Sequence, residues 1–380
     1  MERIAGLHGL RGALAVWVVV VHLLPAASIE PSELGPLAPL FGELIRVKIF
    51  CIMSGFVIFM MMAKIKESYV TYLSRRLRRI YPVYLVAFIA SIAMSGIAYE
   101  ALQNTRFESE INASRLKLLD ESFAYWHAHI ASHLTLLHGI IPPSILPSSA
   151  YAFLGQAWNI STEVQFYIVA PILFAGLHQT DVRRRIAFIL GVGVIWALLL
   201  LWPNRAALSH FALFFAVGIA SYYLWQRNWS DRRYFNPATV LAAAAIAGLI
   251  DFAFSGWIFV FGFALLVRDQ ARKPDPVTNF LSTPAMLFLG SISYPLYLLH
   301  MVPLYGWMYV LSGFEMSQAG YAVLLSVLTF ATAIPLSSLV SRYVENAFYQ
   351  SRTSRPQQPV PVQAPAIVGP AVQPAKEAGA

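Results

Sequence analysis

Ten apolar runs, each close to the roughly 20 residues that an α-helix needs to cross a bilayer, follow one another along the chain. They lie near residues 10–26, 40–63, 80–97, 158–176, 185–202, 206–225, 237–254, 255–269, 283–310 and 319–345. Composition agrees with this reading. Of 380 residues, 58% are hydrophobic and 12% charged, and the mean hydropathy is +0.60, which is more apolar surface than a soluble core of this length hides. The sequence specifies an all-α, polytopic membrane helix bundle of about ten spans.

In such a chain the position of each Lys and Arg says more than the net charge of +8. Lys64, Lys66, Arg75, Arg76, Arg78 and Arg79 follow the second run. Arg183, Arg184 and Arg185, then Arg227, Arg232 and Arg233, then Arg268, Arg272 and Lys273 fall in later alternate connectors. Segment 27–39 carries Glu30 and Glu33 without any Lys or Arg, and Asp251 and Glu315 stand alone in their connectors. The positive-inside rule therefore places both termini in the cytoplasm.

Residues 1–348 read as one transmembrane domain, interrupted by a long extracytoplasmic loop over 98–157 that holds four of the nine histidines. A loop of that length is functional or disordered. Residues 349–380 are rich in Pro and Ala and too poor in large apolar side chains to fold, so they form a disordered cytoplasmic tail. The single cysteine, Cys51, lies inside an apolar run, which excludes an internal disulfide and a cysteine metal cluster and points to a buried, inert thiol.

Within the first run, "GLRGALAVWVVVVH" begins with Arg11 and ends at His22. Eleven residues at about 100° each put both on one helix face, about 16 Å apart. Ionisable side chains inside a span mark function when they face the protein interior. The plainer alternatives are a cytoplasmic anchor for Arg11, an interfacial histidine for His22, or a signal peptide cleaved near "PAAS". On the fourth run, Asn159, Glu163 and Tyr167 recur every four residues and stack on one face. Glu163 and His22 come out at similar depth, where a carboxylate steadies an imidazolium; the alternative is a Glu paired with Lys or Arg for helix packing. On the ninth run, Ser293, Tyr297 and His300 share a face, with a kink expected at Pro295 and a packing histidine as the alternative.

The basic block "SRRLRR" suits either anionic lipid or the phosphates of a soluble donor. Among the loop histidines, His129 and His133 are one turn apart, but with no Glu between them and no Cys nearby no metal site is expected. Interfacial or substrate contacts are expected for His127, His129, His133 and His138.

Five ordered blocks carry a family resemblance. "GLRGALAVWVVVVH" is similar to the first-helix signature of the acyltransferase-3 family of membrane O-acyltransferases, an Arg, ten residues and a His. "KIFCIMSGFVI", "YLSRRLRRIYPVYL", "AWNISTEVQFYIVAP" and "GSISYPLYLLH" resemble the family's later blocks, in the same order, over residues 9–300. His8, Lys48, Cys51 and Val164 depart from the residues common at those places.

The resemblance implies transfer of an acyl group, most often acetyl, from cytoplasmic acyl-CoA to a hydroxyl of a cell-surface carbohydrate or glycan, by an integral protein of the bacterial inner membrane. Acyl-CoA is then a co-substrate, with no tightly bound cofactor. The bilayer and polysaccharide-synthesis machinery are the expected partners, and nucleic acid is not. His22 is the expected general base assisted by Glu163, and Arg11, Arg75, Arg76 and Arg79 are the expected donor-binding residues. Ser54, Asn159, Tyr167, Tyr297 and His300 are expected to bind the acceptor or line the cleft. The same buried charges would also suit a proton- or anion-coupled transporter, although the halves show no repeat. A non-catalytic scaffold would leave those charges unexplained.

Overall fold

The computed structural model describes residues 4–41, 44–227, 262, 268 and 276–350. Among the described residues every regular element is helical. The longer helices are α1 (Ala5–Ala26), α2 (Ile45–Lys64), α3 (Tyr69–Gln103), α4 (Glu110–Ala124), α5 (Trp126–Leu134), α6 (Trp158–Leu177), α7 (Val182–Leu199), α8 (Ala212–Gln226), α9 (Pro284–Leu299), α10 (Met301–Ser312) and α11 (Gln318–Val340). Side-chain caps start several of them. Ser68 accepts from Thr71 N–H, Ser109 from Asn112 N–H, Asp181 from Arg183 N–H and Ser317 from Gly320 N–H, each meeting a donor that a helix start leaves unpaired.

Five helices are long and apolar enough to cross a membrane, and the bent pair α9–α10 makes a sixth. α7 opens on three arginines and α8 has 15 residues, so the runs at 185–202 and 206–225 are helical without each being a full span by length and composition. The expected spans at 237–254 and 255–269, and nearly all of the tail, lie outside the described residues.

Close glycine contacts set two helix crossings. A Cβ on Gly12 of α1 would stand 2.5 Å from the Gly290 nitrogen of α9, and one on Gly290 would stand 2.3 Å from the His8 carbonyl oxygen. A Cβ on Gly55 of α2 would meet the Phe215 carbonyl oxygen at 2.3 Å, and one on Gly218 of α8 would meet that of Ile52 at 2.0 Å. Backbones approach this closely only where no side chain intervenes, which accounts for the glycines of "GLRG" and "SGF". The middle of α1 is a wall of the core, with Leu14, Ala15, Val18 and Val19 buried.

Two expectations change. Arg75, Arg76, Arg78 and Arg79 lie on the first turns of α3, a helix of 35 residues, rather than in a connector, because Ser68 starts the helix ahead of them. The kink of the ninth run falls at His300, where α9 and α10 meet at 59°, and not at Pro295. Pro303 has no N–H to give the Leu299 carbonyl, so the helical ladder fails there. The Ser291 carbonyl, which Pro295 deprives of its usual donor, accepts from Ser341 Oγ at 3.3 Å, and the helix runs on.

The 98–157 segment is folded. Ser28 Oγ donates to the Phe107 carbonyl at 2.8 Å, Ser109 Oγ to Glu30 at 2.7 Å, and Asn112 Nδ2 to the Pro25 carbonyl at 2.9 Å. These bonds hold α4 over the end of α1 that carries His22.

Candidate active site

Tyr297 is a wall common to two cavities. The first, of about 100 Å³, receives Arg11 from α1, Ser54 from α2, Arg76 and Arg79 from α3, and Asn159, Glu163 and Tyr167 from α6. The four-residue spacing on α6 thus aims all three side chains at one space. Glu163 Oε1 accepts from the Tyr167 hydroxyl at 2.6 Å and from Ser54 Oγ at 3.0 Å. Among the described residues no Lys or Arg closes an ion pair on Glu163, so its partners are hydroxyls and not the cation of a packing pair.

The arginines of this cavity differ in their commitments. Arg76 is buried, with its guanidinium carbon 5.8 Å from the ring centres of Tyr72 and Tyr167, an attraction between cation and aromatic face. Its terminal nitrogen also donates to Met61 Sδ at 2.6 Å, and its Nε has no partner among the described residues. Arg11 lies within electrostatic reach of Arg79, Glu163 and Glu345. Arg75 turns away, pairs with Glu67 and does not line the cavity.

The second cavity, of about 510 Å³, is lined by His22, Arg46 and Tyr297 together with α4 and the chain leading into α6. His22 and Glu163 therefore face different spaces, and the structure does not bring them into contact. The neighbours of His22 are others. Arg115 of α4 donates to His22 Nδ1 at 3.2 Å and to the His22 carbonyl at 3.3 Å, while its other terminal nitrogen donates to Asn112 Oδ1 at 3.2 Å. The ring centre of His300 lies 5.1 Å from that of His22. His300 is fully buried; its Nδ1 donates to the Leu296 carbonyl at 3.1 Å, which leaves Nε2 as an acceptor without a partner among the described residues. Tyr297 donates to the Gln156 carbonyl, and Gln156 Nε2 to the Leu298 carbonyl at 2.6 Å, so the partition between the cavities is braced from α9 to the start of α6.

Arg115 was not among the residues singled out in the sequence. It sits in a polar stretch, and only the fold of the 98–157 segment carries it to His22. The loop histidines also take other places than expected. His129, His133 and His138 are fully buried and line neither cavity. His133 and His138 stack with ring centres 3.9 Å apart, and His133 bonds the Tyr84 hydroxyl and the Ser149 carbonyl. Burial pushes His138 down to about 4 and holds His133 well below the usual imidazole range, with the neighbouring His138 adding to the effect. His127 is exposed beside Trp126.

These features define an integral membrane helix bundle in which two largely apolar cavities, each holding buried charged or titratable side chains, have Tyr297 as a common wall. Residues 4–338 match the family model described as an acyltransferase domain, and the chain belongs to this acyltransferase-3 family. No curated protein and no solved structure matches it.

Proposed function

We propose that the protein is an O-acyltransferase that moves an acyl group, acetyl by preference, from cytoplasmic acyl-CoA to a hydroxyl of a cell-surface or exported carbohydrate. The observation that carries this reading is the pair of cavities separated by Tyr297, one rimmed by Arg11, Arg76 and Arg79, the other holding His22. The arginine cavity suits the phosphates of the donor through charge-assisted hydrogen bonds. The thioester then reaches the partition, and the acceptor hydroxyl approaches it from the larger cavity.

His22 takes the hydroxyl proton as the oxygen attacks the thioester carbonyl carbon. The carbon–sulfur bond breaks, and the departing thiolate takes up a proton to leave as the free thiol of CoA. Glu163, held by Tyr167 and Ser54 on the donor side, acts on the thioester end rather than as the orienting partner of His22. His300, beside His22 and with its Nε2 unpartnered among the described residues, is the nearby site for a relayed proton.

Ten spans with both termini in the cytoplasm complete the reading, in a bacterial inner membrane beside polysaccharide-synthesis machinery. Reporters fused after Arg185 should be cytoplasmic and one inserted near Asp120 external. The activity is tested by incubating purified protein with radiolabelled acetyl-CoA and a glycan acceptor. Label appearing in the glycan supports acyl transfer; exchange of substrate across a vesicle membrane without turnover would instead identify a transporter.

A further inference from the structure

A guanidinium has donors and no lone pair, so the 3.2 Å contact from Arg115 makes His22 Nδ1 the acceptor and leaves the proton of the neutral ring on Nε2. In that arrangement neither nitrogen of His22 is open to a hydroxyl proton. The contact therefore describes a closed base. Arg115 itself has no carboxylate partner among the described residues; its bonds go to an amide oxygen, a carbonyl and the imidazole. Lys117, also without a carboxylate partner among them, and the buried Arg46 line the same 510 Å³ cavity. The carboxylate on its wall, Glu121, is held by Ser148.

A roomy cavity lined by Arg115 and Lys117, neither with a carboxylate partner among the described residues, attracts an anion, and Arg115 is the one of the two that touches His22. We propose that the acceptor carries an anionic group, a carboxylate or a phosphate, which engages Arg115 and draws its guanidinium away from His22 Nδ1, so that the base opens only when the acceptor is in place. This rests on the reading of His22 as the general base. Water brings no negative charge to Arg115, so the closed form also protects the thioester from hydrolysis before the acceptor arrives. Arg115 is thus both a specificity residue for the acceptor and a latch on the base.

Methyl glucoside, methyl glucuronide and glucose 1-phosphate, offered to the full-length protein with radiolabelled acetyl-CoA, separate a neutral acceptor from a carboxylate and a phosphate. The wild type should favour at least one anionic acceptor over the glucoside by about tenfold or more in kcat/KM, the scale of one charge-assisted hydrogen bond, and the favoured arm names the group. Arg115→Gln should bring that acceptor down to the level of the glucoside, mainly through KM, and should raise acetyl-CoA hydrolysis in the absence of acceptor severalfold. Arg115→Lys, which keeps the charge, should restore part of the preference. Equal use of the three acceptors by the wild type, or an Arg115→Gln protein that loses all activities together without a rise in hydrolysis, would overturn the proposal while leaving acyl transfer standing. A wild type that neither transfers nor hydrolyses would overturn the acyltransferase reading and this proposal with it.

Discussion

The Tyr167 hydroxyl donates to Glu163 Oε1 at 2.6 Å, one turn along the same helix, and Ser54 Oγ reaches the same oxygen from a neighbouring helix at 3.0 Å. Two hydroxyl donors on one oxygen fix where the other oxygen of the carboxyl group points. Glu163→Gln should lower acyl transfer far more than Tyr167→Phe, which leaves the Ser54 bond in place and should cost about tenfold in kcat, the scale of one hydrogen bond to a charged group. Transfer rates at matched protein levels check this; equal losses would make Tyr167 as important as the carboxylate it serves.

The arginines of the donor cavity are separable by their partners. Arg76→Gln and Arg79→Gln should each raise KM for acetyl-CoA by about tenfold or more, because a charge-assisted contact to phosphate contributes about 1.5 to 3 kcal/mol. Arg75→Gln should leave that KM near its wild-type value, since Arg75 is committed to Glu67 and stands outside the cavity. The three KM values, read side by side, test whether position in the cavity or mere membership of the basic block decides donor binding.

Much of this site was legible as spacing. Asn159, Glu163 and Tyr167 repeat at four residues, and helix geometry alone places them together on α6. Arg11 and His22 similarly mark the two ends of one face of α1. Relations across helices were not legible in that way. Depth along the chain suggested a contact between His22 and Glu163, but Tyr297 stands between their cavities, and nothing in the spacing of either helix encodes a side chain from a third. The break at His300 was misplaced for a related reason: a proline is visible in sequence, while the Ser341 hydroxyl that rescues the carbonyl freed by Pro295 arrives from 50 residues away. Arg115 is the extreme case, brought to His22 across 93 residues by the folding of a segment that shows no apolar periodicity of its own.

The α1–α9 crossing makes a stability prediction. A Cβ on Gly12 would meet backbone and side-chain atoms of α9 at 2.5 to 2.8 Å, and backbone cannot yield as a flexible side chain can. Gly12→Leu should therefore lower the melting temperature in detergent and the yield of folded protein, with overpacking costing about 1 to 3 kcal/mol or more. Gly96→Ala on α3, where a Cβ would meet nothing within 4 Å, should be neutral or mildly stabilising, since Ala is the better helix former by about 1 kcal/mol. Comparing the two melting temperatures separates glycine at a crossing from glycine on an open face.

The stacked His133 and His138 make an acid-stability prediction. Both are neutral in the folded protein, with His138 pushed down to about 4 by burial. Above about pH 6.5 the folded and unfolded chains are both neutral here, and the pair adds no pH dependence. Between about 6.5 and 4 the unfolded chain binds protons that the folded chain refuses, so stability falls as pH falls, by on the order of 3 kcal/mol for His138 alone. Melting temperatures measured from pH 7.5 to 4.5 should decline through this window, and His138→Phe, which keeps a ring on His133, should flatten the decline. An unchanged slope in that variant would assign the acid sensitivity to other groups.

His22 carries the chemistry in this reading, and its variants divide the alternatives. His22→Ala removes an ionisable group from a span, which does not oppose membrane insertion, so the protein should be made and inserted at normal levels. Transfer should fall by at least about a hundredfold, the lower range of general-base catalysis. His22→Gln should do no better, because an amide hydrogen-bonds to a hydroxyl but does not take its proton at neutral pH. His300→Asn should fall between wild type and His22→Ala if the neighbouring ring, 5.1 Å from His22, receives a relayed proton, and should match wild type if His300 serves packing alone. Near-normal transfer by His22→Gln together with loss in Glu163→Gln would move the base to Glu163, on the donor side of Tyr297. Wild-type rates in both variants would make the buried charges structural and remove the chemical reading of the two cavities.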